Sequence, residues 1–399
     1  LGVALQNDSI INVAINDPEC GYHAQMERYV MNDGWWGEGS PTYHYYPLRA
    51  MLLSADAVRC RNINLYDRKL YKMLVAPASG VYADLYFPAH NDGWYGESLI
   101  AQVSLYEIAC QRYNNDPFFL SVLQQCYRYT DRNFGEALQN NIEIPQVTSM
   151  ETWPSVHFKE TGYTVLRSGT KTVVMKYGPH GGGHGHPDKL SISIHDGEKE
   201  IVSDMGTCAY GVPAFTKWYR KTLSHSTLTV DAKDQKESTG KLLAFKAYKD
   251  GGEVSAEAPD VYSGVTMERK LILKKNKLTD ILTARSDEQH LYDYVLILTE
   301  KPVFSQTGEV IILNDSPSYN YIKNAIVRKQ SSPLSCKIGK AYMKIEVSEG
   351  QEFEVITGEA PGIPPGNGSV LSKYDSPFCY PLIVRVKDKK LRIKTEWKF

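Results

Sequence analysis

The stretch PHGGGHGHPDKLSISIHDGEKEIVSDMG (179–206) carries three histidines, His180, His184 and His186, in a glycine-rich turn that runs into a strand, with Asp204 at its far end. Asp196-Gly197 between two alternating runs is a hairpin signal. A hairpin within the 18 residues from His186 to Asp204 folds that carboxylate back beside the imidazole. His225 opens the next strand, HSTLTVD. Two imidazoles and one carboxylate converging at a sheet edge match a Zn²⁺ ligand set with one position left for water or another group. The alternative is a solvated glycine–histidine loop with no metal.

A second set lies upstream. His44 sits in TYHYY and Tyr95 in GWYGE. A His and a Tyr facing one cleft would serve as Brønsted base and acid, and the competing reading is packing. Trp35, Trp36, Trp94, Tyr82 and Tyr86 suit stacking on pyranose rings, or alternatively a core. AFTKWYRKTLSHSTL (214–228) clusters Lys217, Arg220 and Lys221 before His225, a group that would bind carboxylate or sulfate unless it is an ordinary charged strand edge. No GxSxG elbow, P-loop, HExxH helix or dinucleotide fingerprint occurs, so no nucleotide or redox cofactor is expected.

Two regions of different period must position these residues. Up to about residue 140, YPLRAMLLSADAVRC, LYDRKLYKMLV, GESLIAQVSLYEIACQRY and DPFFLSVLQQCYRYTDRNF read as amphipathic helices, the last opening with Asp116 as N-cap and Pro117 at the first helical position. The aromatic loops NDGWWGEGSPTYHYY (32–46) and YFPAHNDGWYGE (86–97) join them and share an echo, as in an array of helical hairpins. Proline-bearing sequence at 140–156 ends the helical period, and short alternating runs such as GYTVLRS, KTVVMKYG and YPLIVRVKDKKLRIKTEW follow. The expected architecture is α+β and multidomain, with a helical domain over 1–145 and a large antiparallel β-sandwich over 146–399. With 45 Lys+Arg against 46 Asp+Glu there is no field favouring nucleic acid, and no apolar run is long enough for a membrane span. Seven scattered cysteines form no CxxC or other short metal spacing. The chain starts with Leu1, which reads as a processed or truncated product.

In order, NDGWWGEGSPTYHYYPL, HNDGWYGE, HGHPDKLSISIHDGEKEIVSDMGTCAYG, YRKTLSHSTLTVDAKDQ and HLYDYVLILTE resemble the heparinase II/III-like polysaccharide lyases, including the exo-acting oligoalginate lyases. The resemblance implies a partial α/α toroid followed by the β-sandwich. It also implies β-elimination beside a uronic acid, giving a 4,5-unsaturated uronate. His44, Tyr95 and His184 match the family's proton-transfer and carboxylate-neutralising residues. His186, Asp204 and His225 match its zinc ligands. Trp36, Tyr43, Asn91, Tyr210, Arg220 and Lys221 are the expected substrate contacts, Tyr43 standing where some relatives have asparagine. The implied partner is an acidic polysaccharide or oligosaccharide met in the periplasm or outside the cell, and the basic cluster 217–221 places heparin or heparan sulfate ahead of alginate. A non-catalytic acidic-glycan-binding protein and a zinc-dependent hydrolase are the competing readings.

Overall fold

The computed structural model describes residues 1–130, 153–363 and 377–399. Two compact units separate: Leu1–Val81, Leu85–Phe87 and Glu97–Glu151 in one, Tyr82–Asp84, Pro88–Gly96 and Thr152–Phe399 in the other. The aromatic stretch 88–96, expected with the helices, thus clusters with the strands. The expected boundary at 145/146 falls outside the described residues.

In the first unit the helices Asp8–Asn16, Tyr22–Tyr29, Pro41–Val58, Arg68–Ala78, Val103–Arg112 and Pro117–Cys126 carry the apolar faces. Asp116 caps the last of them, accepting the Phe118 N–H at 2.8 Å. Asp67 caps Arg68–Ala78 through the Lys69 and Leu70 amides. Leu48, Leu52 and Ala55 are fully buried at helical spacing. Tyr45 and Tyr106 hydroxyls meet at 2.8 Å, and Tyr106 donates onward to the Leu74 carbonyl at 2.9 Å, tying three helices. The TYHYY segment, expected in a loop, belongs to the helix, because Pro41 supplies a preset first turn after Ser40. Helix geometry turns His44 inward, where Nδ1 accepts the Trp36 amide N–H at 3.0 Å and Nε2 donates to the Met73 carbonyl at 2.8 Å.

The second unit is a large antiparallel sheet system. Lys277–Leu298 pairs with Phe378–Lys398 along its length, with a register shift between Arg285 and His290, and with Val265–Lys274 on its other side. Alternating burial along Val265–Lys274 shows one face on the core. Leu166, Ile194, Leu271, Leu282 and Ile393 are among the fully buried residues filling it. Fully buried Arg269 is the polar centre of this unit. It grips Asp280 with two bonds, 2.9 and 2.6 Å, and donates to the Leu190 and Ser226 carbonyls at 2.8 and 2.6 Å. Those two carbonyls follow the HGHPDK turn and His225, so the buried ion pair fixes both histidine-bearing segments. Among the described residues no helix is long and apolar enough to cross a membrane.

Arg269→Leu strands a buried Asp280 carboxylate and should cost about 3–5 kcal/mol in urea unfolding. His44 gives a pH test. Burial lowers its imidazole from 6.5 to about 4, outweighing the bond to Met73. Between those values the unfolded chain binds a proton that the folded unit refuses. The contribution is therefore complete above pH 6.5 and is lost as pH falls toward 4, amounting to about 3 kcal/mol. A His44→Leu variant, weaker at pH 7 for want of two hydrogen bonds, should show a correspondingly smaller loss over that window.

Candidate functional site

The loop 88–96, the histidine turn and the strands around them all lie in the second unit. The loop 88–96 is fastened to the chain after Asp204 by a bridge between Ala89 and Met205 and by the Thr207 N–H donating to the Gly93 carbonyl at 3.2 Å. Gly206 has φ +63°, and a Cβ there would stand 2.1 Å from the Gly93 oxygen, so only glycine allows this approach. Asn91 is left-handed (φ +55°) and fully buried. This twist sets Asp92 toward the histidine turn, where its amide donates to the His184 carbonyl at 3.2 Å.

Asp92 is 1% exposed and holds both histidines of the HGH sequence: His184 Nδ1 at 2.9 Å on one carboxylate oxygen, His186 Nε2 at 3.0 Å on the other. Burial pushes the Asp92 carboxyl up, but the two imidazole hydrogen bonds win and hold it below the usual carboxylate range. The clamp fixes ring orientation. His184 donates through Nδ1, which makes Nε2 its accepting nitrogen when neutral. The Tyr210 hydroxyl lies 3.4 Å from His184 Nδ1 with its ring stacked at 6.5 Å, and Tyr210 is 54% exposed. His184 is thus the half-exposed member of the pair, whereas His186 is fully buried and held neutral, lowered to about 4 by burial against the Asp92 bond.

The residues able to hold a cation include Asp204 and His225 of the expected set, joined by Asp188. Asp188, Asp204 and His225 bring ligand atoms within 4.8 Å of one another, all buried. His186 bonds Asp92 through Nε2, which leaves its Nδ1 as a further candidate ligand beside Asp188, Asp204 and His225. Asp204 accepts from His225 Nδ1 at 3.1 Å. Burial lowers His225 and raises Asp204, yet their mutual attraction outweighs it and shifts each toward its charged form. The fit to a divalent cation rests on orphaned atoms: His225 Nε2, Asp188 Oδ1 and His186 Nδ1 are buried without a hydrogen-bond partner. A cationic side chain already shares this cluster. Lys176 Nζ donates to Asp188 at 2.6 Å and to the Asn91 side-chain oxygen, which also accepts the His186 N–H at 3.3 Å. Asn91, expected to touch substrate, is in this way a buried organiser of the turn.

Tyr95 is 6% exposed and donates to the Glu200 carboxylate at 2.5 Å. Of the expected basic contacts, Arg220 donates to the Gly185 carbonyl at 2.8 Å and packs over Phe215, while Lys221 pairs with Asp234 at 2.7 Å. Both therefore brace the glycine-rich turn and its flank. In the first unit, Trp36 is buried with its indole N–H on Glu38 at 3.1 Å, Tyr43 is half-buried on its helix, and His44 has both ring nitrogens bonded to backbone. Of the aromatics considered for sugar stacking, Trp35 and Tyr82 are core residues, and Trp94 is 37% exposed. Sequence reasoning missed Asp92, Asp188 and Glu200. Asp92 and Asp188 each sit inside a quoted motif, NDGW and HPDK, so the signal was present but not read as chemistry.

The sequence profile described as Heparinase II/III-like, C-terminal matches residues 150–295. An alginate lyase of Stenotrophomonas maltophilia is 25% identical over 341 residues, covering 74% of this chain and 45% of that protein. A heparin-sulfate lyase of Pedobacter heparinus is 23% identical over 244 residues, covering 57% of this chain and 34% of that one. The chain spans less than half the length of these relatives. A solved heparan sulfate lyase from Pedobacter heparinus matches with TM-score 0.70 at 16% identity, over 94% of this chain and 55% of that chain, which speaks for the fold. Residues 150–295 are accordingly a heparinase II/III-like C-terminal domain, and the chain's relatives are the polysaccharide lyases of that family.

Proposed function

We propose that the protein takes part in cleaving uronic-acid-containing polysaccharide or oligosaccharide by β-elimination, leaving a 4,5-unsaturated uronate. The observation that carries this reading is Asp92 clamping His184 and His186 three residues before Tyr95 on one loop. The C5 proton next to a carboxylate becomes acidic enough to remove only when charge developing on that carboxylate is neutralised. A protonated His184, steadied through Nδ1 by Asp92 and flanked by exposed Tyr210, would present N–H to the uronate carboxylate. Tyr95 would take the C5 proton and serve the departing O4. His44, with both nitrogens committed, enters the reading as an anchor of the Trp36 turn. The helices fit part of a toroid and the strands a sandwich, the architecture we assign to the whole.

Asp188, Asp204 and His225 would hold Zn²⁺, with the His186 ring 5.2 Å from that of His225, and the ion would supply charge that organises this part of the sheet. Because Arg220 and Lys221 are committed within the protein, sulfate is no longer favoured by the basic cluster. The longer alignment is with an alginate lyase, and alginate stands beside heparin and heparan sulfate as candidate substrate. Polymers of this size are met outside the cytoplasm, which supports a periplasmic or secreted location.

The full-length enzyme should raise ultraviolet absorbance from the new C4–C5 double bond on at least one of heparin, heparan sulfate and alginate. Tyr95→Phe and His184→Ala should each lower turnover by about 10²–10⁴-fold. Folded protein that is silent on all three polymers sinks the reading. Metal analysis of purified protein should find close to one bound zinc that Asp204→Asn and Asp188→Asn deplete, with a lowered Tm. Retained metal in both variants would remove these residues as ligands.

A further inference from the structure

Glu200 opens the returning strand Glu200–Val202 of the hairpin, opposite His195, and is 4% exposed. Three hydroxyls converge on its carboxylate: Tyr95 at 2.5 Å and Ser203 at 2.9 Å on Oε2, and Tyr82 on Oε1. Tyr82 is itself locked, stacked on His195 at 4.9 Å, and the His195 ring stands 3.2 Å from the Asp84 carboxylate. Titratable groups near Glu200 include Tyr82, Tyr95, Tyr163 within electrostatic reach, Arg167 beside Tyr163, and the His195–Asp84 pair behind Tyr82. Burying a carboxylate is costly unless it is hydrogen-bonded, and three hydroxyl donors meet that need. They also give the Tyr95 proton a defined acceptor.

A phenol that still carries its proton can accept a second one from carbon only if it passes its own on. We propose that Glu200 is the positioning residue for Tyr95 and the acceptor of its phenolic proton during elimination, an inference that rests on the lyase reading above. In the first half, the C5–H bond breaks and its proton binds the Tyr95 oxygen. The original Tyr95 O–H proton moves to Glu200 Oε2, and the electron pair stays on C5, delocalised into the uronate carboxylate. In the second half, that pair forms C4=C5 as the C4–O bond breaks. The leaving oxygen takes the proton from Tyr95, and Glu200 returns its own. The net result moves one proton from C5 to O4, and the enzyme ends as it began. Tyr82, held on the other carboxylate oxygen, keeps Oε2 directed at Tyr95.

The test uses the full-length enzyme and the polymer it cleaves best among heparin, heparan sulfate and alginate. Glu200→Gln should lower kcat by about 100-fold or more with KM changed less than about 3-fold, and Glu200→Asp should recover much of that loss. Tyr82→Phe should give an intermediate fall in kcat. A tyrosinate absorbance titration, with Tyr95→Phe subtracted, should show the Tyr95 transition moving to lower pH in Glu200→Gln, because an adjacent anion has gone. That measurement needs no turnover. A folded Glu200→Gln with near wild-type kcat overturns the proposal, as does an unmoved Tyr95 titration. So does a kcat loss that tracks lost thermal stability and is not recovered by Asp. If wild-type protein is silent on every polymer while the titration still moves, the lyase reading and the relay fall together, and the Tyr95–Glu200 contact remains as structure alone.

Discussion

A single buried carboxylate, Asp92, organises the candidate site. Two imidazoles two residues apart in a glycine-rich turn have no reason to adopt one arrangement, since glycine leaves the backbone free. Asp92 supplies the reason by bonding one ring on each oxygen and donating its own backbone N–H to the same turn. Its reach depends in turn on the left-handed Asn91 and on the close approach of Gly206 to Gly93. The half-exposed imidazole and the buried one are made different by their surroundings, not by their sequence.

Buried charge of both signs surrounds that clamp. Asp188 meets Lys176 and Lys189, and Asp204 meets His225. Asp188 is held far below the usual carboxylate range because the lysines and His225 outweigh its burial, while burial brings Lys189 down to about 8. A cation bound among Asp188, Asp204 and His225 would thus enter a cluster already partly neutralised by protein, which favours a role in ordering over one in strong polarisation.

Much of the fold was legible because it is written in periodicity. Asp116-Pro117 starts a helix as its chemistry requires, and Asp196-Gly197 turns a hairpin with Gly197 at φ +102°. The TYHYY segment was misplaced because aromatic density obscured the start signal at Ser40-Pro41. At the site, the HGH turn, Asp204 and His225 were visible as types that bind metals or protons. The part of Asp188 was not, since it depends on how the turn brings that carboxylate beside Asp204 and His225. The same holds for Glu200, which reads as an ordinary polar residue of an alternating strand until its burial is known. Arg220 and Lys221 illustrate the converse: charge in a sequence does not reveal whether a backbone carbonyl or a neighbouring Asp has already claimed it.

The hairpin Ser191–His195 to Glu200–Val202 has a consequence for how this site can change. Strand faces alternate with period two, so inserting or deleting one residue in the 196–199 turn would rotate Glu200 toward the opposite side of the sheet while leaving apolar composition untouched. Loop length at that turn, usually the most permissive variable in a β protein, is here a determinant of function. Divergence within such a lineage would then be read more truly from the spacing across this turn than from the identity of the residues in it.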